Sequence, residues 1–189
     1  ESCSAISLAS CEAVFHLPMA PAASPEALSG FASVIYFCWR ELKLFTLLQE
    51  KIKEGVPFLG ICLGMQILFE ESEEAPGIKG LGLVKGKVKR FSNRFLAVPH
   101  MGWNQIKLRN TEYGRRNASL FKNIKDGSFF YFVHSYYCQP KDKSIITTTT
   151  DYGRGFASSL NQGNLWAVQF HAEKSQARGL KLVNNFLKI

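Results

Sequence analysis

Cys62 stands at the centre of Gly60-Ile61-Cys62-Leu63-Gly64, two residues from a glycine on either side. An apolar run, Val56-Pro57-Phe58-Leu59, leads in, and Met65-Gln66-Ile67-Leu68-Phe69 follows with helical character. Gly-x-Cys-x-Gly is the cysteine form of a nucleophile elbow, in which a strand turns sharply into a helix with the nucleophile at the tip. Glycines at both flanks are expected to relieve side-chain clashes there. A helix N-terminus behind the sulfur favours thiolate over thiol, and amides at the turn can bind an oxyanion. A second stretch supplies what a thiolate needs. In Trp166-Ala167-Val168-Gln169-Phe170-His171-Ala172-Glu173-Lys174-Ser175 a β-like run ends at His171, with Glu173 two residues on. A cysteine nucleophile requires a base, and the base an orienting carboxylate. The set Cys62, His171 and Glu173 therefore reads as a catalytic triad for acyl transfer. A buried structural cysteine and a structural strand-end histidine are the plainer alternatives.

Gly60 to Gln66 together with Gln169 to Ser175 resemble the class I, triad-type glutamine amidotransferases. Two further stretches, Val98-Pro99-His100-Met101-Gly102-Trp103-Asn104 and Tyr131-Phe132-Val133-His134-Ser135-Tyr136-Tyr137, are similar to the glutaminase subunits of imidazole glycerol phosphate synthases. The resemblance runs from about Arg40 to Ile189 in one glutamine amidotransferase domain. It implies an α/β fold, a mixed and mostly parallel sheet flanked by helices. It implies glutamine as substrate, a cysteinyl thioester, no metal and no organic cofactor. The ammonia would pass to a partner cyclase, a (β/α)8 barrel, that makes imidazole glycerol phosphate in histidine biosynthesis. Gly60, Leu63, Gln66, Glu74, Ser135 and Tyr136 would then hold glutamine, Glu74 at the α-amino group and backbone near Ser135 and Tyr136 at the carboxylate. Met101, Trp103, Asn104 and Lys174 would face the cyclase. The alternatives are another class I amidotransferase or a γ-glutamyl hydrolase, and a catalytically impaired binding subunit. The chain departs from the family at Ala172, where a proline is usual.

Residues 1–39 depart further. All 23 Lys and Arg lie at or after position 40, and Glu1, Glu12 and Glu26 are the only charges before it. That segment carries −3 and the remainder +11. The Pro-Gly-Val-Gly oxyanion loop of the family, expected near Leu28-Ser29-Gly30-Phe31, is not recognisable. We expect a truncated start and an out-of-frame reading up to about Cys38, with a divergent N-terminus as the plainer alternative.

The elements that must position the triad are legible from Arg40 onward. Leu44, Leu47, Leu48 and Ile52 recur at helical spacing, ended by Gly55. Lys85, Lys87 and Lys89 alternate with smaller or apolar residues, which marks the wet face of a strand. Without a helix-turn-helix, an RNA-binding motif or an aromatic-interleaved stripe, the net charge of +8 does not point to nucleic acid. Thr147 to Thr150 reads as a strand, and Phe156–Leu160 with Leu165–Phe170 as a hairpin. Ser175 is expected to cap a closing helix that buries Leu180, Val183, Phe186 and Leu187. The five cysteines are irregularly spaced, with neither a zinc-binding nor a disulfide pattern, which fits a reducing cytoplasm. No apolar run approaches the roughly 20 residues a membrane helix needs.

Overall fold

The computed structural model describes residues 6–7, 43–92, 96–109 and 119–189. The expectations about a frame change and a missing oxyanion loop in residues 1–39 lie outside the described residues, apart from one short strand. That strand, β1 (Ile6–Ser7), runs parallel to β2 (Phe58–Ile61). In sequence order, α1 (Leu44–Lys53) precedes β2, and α2 (Leu63–Gln66) and β3 (Phe69–Ser72) follow it. Then come β4 (Val84–Arg90), β5 (His100–Gln105), β6 (Lys107–Leu108), β7 (Phe129–His134) and β8 (Tyr136–Pro140). The chain closes with β9 (Ile146–Asp151), β10 (Gly155–Gln162), β11 (Leu165–Val168), a 3-10 turn (Ala172–Lys174) and α3 (Gln176–Phe186).

The main sheet has the order β1-β2-β11-β10-β9-β6, and smaller sheets are built from β3-β4-β8 and β5-β7. This is α/β with mixed sheets, as expected. Parallel pairing in the main sheet is confined to β1–β2 and β2–β11, and β6, β9, β10 and β11 pair antiparallel. Connection length explains the balance. The Gly163-Asn164 turn between β10 and β11 is too short for a parallel crossover, and Gly163 adopts the positive φ of 64° that the turn demands.

Alternation of side chains puts the sheet between two cores. Phe58, Leu165 and Ala167 join one core with Met65, Leu68 and Val84. Leu59, Trp166 and Val168 join the other with Phe130, Phe132 and Phe170. Burial of each such large side chain contributes about 1.5–3 kcal/mol. β2 and β11 are thus buried on both faces, which fixes their register and the positions of the residues at their ends. In β9 and β10 Thr148 bonds both Ser158 and Ser159 at 2.8 and 2.7 Å, whereas the buried Thr150 hydroxyl has no partner among the described residues.

Two local expectations, the length of the helix after Cys62 and the buried face of the closing helix, are corrected. The segment after Cys62 forms a single helical turn before Phe69 enters β3, because Phe69 and Ser72 pair with Val84 and Val88 of β4. In α1 Leu48 and Ile52 are buried while Leu47 is exposed. In α3 the buried face is Gly179, Leu182, Asn185 and Phe186, leaving Leu180 and Leu187 in solvent. Asn185 explains that shift of face. Its amide donates to the carbonyls of Leu120 and Lys122, so a polar residue occupies the inward position that an apolar pattern assigns elsewhere. The basic face of β4 is as expected: Lys85 and Lys87 are exposed and pair with Glu70 and Glu71 of β3.

Candidate active site

Cys62 follows the last residue of β2, and its amide donates to Val168 O at the end of β11 at 2.8 Å. Its backbone sits at φ 52°, ψ −106°, outside the regions that L-residues ordinarily occupy. Such strain persists only where surroundings impose it, here the two-sided burial of β2 and β11. Gly60 is required: a Cβ on it would lie 2.5 Å from the Gly64 carbonyl oxygen. Gly64 corrects the sequence reading, because a Cβ there would meet nothing within 4 Å. Only the glycine before the cysteine relieves a clash. Among the described residues the Leu63 amide has no acceptor, so it is free to serve an oxyanion.

The end of β11 brings His171 to the sulfur. The His171 amide donates to Tyr131 O at 2.8 Å, pinning the strand end to β7. Its Nδ1 lies 2.5 Å from Glu173 Oε1, and Cys62 is close enough to the ring to act on its charge. Burial alone would lower the His171 pKa. The hydrogen bonds and negative charges of Cys62 and Glu173 outweigh it and push the value up to about 10. Burial would likewise raise the Glu173 carboxyl, but the bond and charge of His171 hold it below its ordinary value. The three side chains expected to act together are therefore neighbours, with the imidazole bonded to Glu173 and biased to the cationic form.

Ser175 does not cap α3. Its hydroxyl donates to His171 O at 2.6 Å and accepts from Tyr131 N at 3.0 Å, and so stitches the His171 backbone to β7. His134 is buried, and desolvation depresses its pKa to about 3. Its Nδ1 donates to Tyr136 O at 2.7 Å and its Nε2 accepts from His100 Nδ1 at 2.9 Å. His100 Nε2 in turn accepts from Asn104 Nδ2 at 3.1 Å, and burial pulls the His100 pKa down to about 4. Every tautomer in that chain is fixed with both rings neutral, so His134 is structural. Nothing in the sequence alone joins residues 100, 104 and 134.

Of the other expected residues, Gln66 is buried and its Nε2 donates to Tyr136 O at 3.2 Å. Glu74 is half-buried, and burial raises its carboxyl to about 7. Among the described residues it has no hydrogen-bond or ionic partner for that carboxylate. Its charge acts on the Tyr136 hydroxyl, whose pKa burial and Glu74 raise together. The Ser135 carbonyl is taken by Phe91 N, which fixes the turn between β7 and β8. Met101 and Trp103 are 62% and 46% exposed on β5. Asn104 spends its side chain inside the chain, on His100 and on Asp151 O. Lys174 is exposed on the turn after His171.

The family model for class I glutamine amidotransferases matches residues 38–189. The chain belongs to the class I glutamine amidotransferases. Imidazole glycerol phosphate synthase subunit HisH of Pyrococcus furiosus is 52% identical over 141 residues, 74% of this chain and 69% of that protein. The HisH subunit of Methanocaldococcus jannaschii is 51% identical over 138 residues, 73% of this chain and 66% of that protein. This amidotransferase thus spans about two thirds of the length of those relatives. A solved glutamine amidotransferase superposes with a TM-score of 0.59 at 17% identity, covering 83% of this chain and 73% of that one. The PurLQS structure from Thermotoga maritima gives 0.58 at 16% identity, covering 77% and 68%. These two likenesses show the fold. No described helix of the amidotransferase is long and apolar enough to cross a membrane.

Proposed function

We propose that this chain hydrolyses glutamine to glutamate and ammonia through a cysteinyl thioester, and supplies the ammonia to a cyclase that forms imidazole glycerol phosphate in histidine biosynthesis. The observation that carries the reading is His171, bonded to Glu173 and acted on by the neighbouring Cys62, in a chain whose relatives are named as subunits of that synthase. The Cys62 thiolate attacks the side-chain carboxamide carbon, and the Leu63 amide donates to the oxyanion. As the C–N bond breaks, His171 gives its proton to the departing nitrogen, and Glu173 holds the ring in the orientation that allows it. A γ-glutamyl thioester remains. His171 then takes a proton from water, hydroxide adds to the acyl carbon, and the thiolate leaves with glutamate.

Gln66 and backbone near Ser135 and Tyr136 position the amino-acid end, with Glu74 opposite the α-ammonium. The exposed Met101 and Trp103 suit an apolar patch on the cyclase-facing side, which also carries Lys174. Ammonia release from glutamine, measured with and without a relative's cyclase, tests the proposal. Glutamine-dependent release that rises with the cyclase is expected. No release under either condition would overturn the reading.

Glu74 makes a separate, pH-dependent prediction. Its raised carboxyl is charged only above about pH 7. The KM for glutamine should therefore rise about tenfold as pH falls through 7 towards 5.5, the effect of losing one ionic contact. Glu74→Gln should show the high KM at all pH values. A wild-type KM that is flat across this range contradicts the assignment.

A further inference from the structure

Gln169 is fully buried where β11 ends, two residues before His171, and no step described above uses it. A buried primary amide has to place two N–H donors and one carbonyl. Its Nε2 lies 3.7 Å from Cys62 Sγ. Its Oε1 accepts from Gln66 Nε2 at 3.4 Å and faces the Cys138 thiol at 4.0 Å. The orientation of the amide follows from its neighbours. The Tyr136 carbonyl can only accept, so Gln66 turns its Nε2 that way. The same Nε2 then meets the oxygen of Gln169, which leaves the Gln169 N–H to point at the sulfur. The backbone fixes the distance, because Val168 O holds the Cys62 amide and Gln169 N is held by Ser158 O at 2.9 Å.

We propose that Gln169 is a further catalytic residue, an N–H donor that holds the Cys62 sulfur as thiolate alongside the triad base. The proposal rests on Cys62 being the nucleophile. The donor adds to the imidazolium and does not replace it. His171 is protonated when the thiolate attacks and again, after drawing a proton from water, when the sulfur departs from the acyl carbon carrying its electron pair. The Gln169 N–H is a fixed donor at that moment, and it neither gains nor loses a proton. Cys138 also finds a role here. Its buried thiol, held protonated by desolvation, offers an S–H to the amide oxygen and helps keep the amide from flipping.

The test uses the reactivity of the thiol without glutamine, so it does not depend on the substrate reading. The full chain is alkylated with iodoacetamide across pH, and modification of Cys62 is followed by peptide mass spectrometry. Gln169→Met keeps the side-chain length and removes the donor, and Gln169→Glu keeps the shape and faces the sulfur with an oxygen. In both, Cys62 alkylation at pH 7 should fall about tenfold, the consequence of one lost hydrogen bond to a charged group, while the rate at alkaline pH stays at the wild-type plateau. A pH 7 rate equal to wild type in either folded variant overturns the proposal. So does a uniform fall at all pH values, or unfolding of both variants, since each is what a purely structural glutamine produces.

Discussion

Cys62→Ala will reduce glutamine hydrolysis by about 10⁶-fold, to the background of the assay. A triad acts as a unit, and loss of its nucleophile costs nearly as much as loss of the whole set. No neighbouring group can substitute. Cys138 is buried, and burial keeps its thiol protonated. The fold should tolerate the change. The strained backbone at Cys62 is imposed by β2, β11 and the Cys62 N to Val168 O bond, none of which needs the thiol. Ammonia release and a melting curve together check this. Loss of activity accompanied by loss of the melting transition would count against a purely chemical role.

Glu173→Gln will lower turnover by about 10³–10⁴-fold with little change in KM, the range seen when a triad carboxylate is neutralised. The amide can occupy the same space, but it carries no charge to hold the imidazolium. The His171 pKa, pushed up to about 10 by Cys62 and Glu173 together, will fall. The alkaline limb of the pH–rate profile should move to lower pH accordingly. The same linkage acts on stability. A histidine whose pKa is raised in the folded state contributes fully below its ordinary value near 6.5 and loses that contribution as pH rises towards about 10. The variant should therefore lose stability chiefly at and below neutral pH, and approach the wild type at pH 10. Because Glu173 bonds to His171 within the chain, cyclase binding should be unaffected. A variant that fails to bind the cyclase would show that Glu173 serves folding or the interface.

What the sequence revealed about the site was whatever is carried by neighbours along the chain. Gly60 before Cys62 announces an elbow because one Cβ there collides with the backbone two residues beyond the nucleophile. His171 and Glu173 are readable because they stand two positions apart at a strand end. Gln169 was missed for a physical reason. Its role depends on Gln66, Tyr136 and Cys138, brought together only when β2, β8 and β11 assemble. Its spacing did hold a signal, since Gln169 and His171 are two apart on an extended backbone and so face the same side. The neutral chain from Asn104 through His100 to His134 was equally silent, being closed by the pairing of β5 with β7. The buried face of α3 was misjudged because hydrophobic periodicity cannot anticipate that Asn185 turns inward to two carbonyls. The length of the helix after Cys62 was overestimated because apolar residues serve equally in a helix or in a strand such as β3.

The central claim is that the Cys62 sulfur forms a covalent bond to the γ-carbonyl side of glutamine. The direct measurement is intact-protein and peptide mass spectrometry after exposure to an electrophilic chloroketone analogue of glutamine. A single adduct on Cys62, suppressed by excess glutamine and absent from Cys62→Ala, is the predicted result. An adduct located on another cysteine, or one that glutamine does not suppress, would contradict the account.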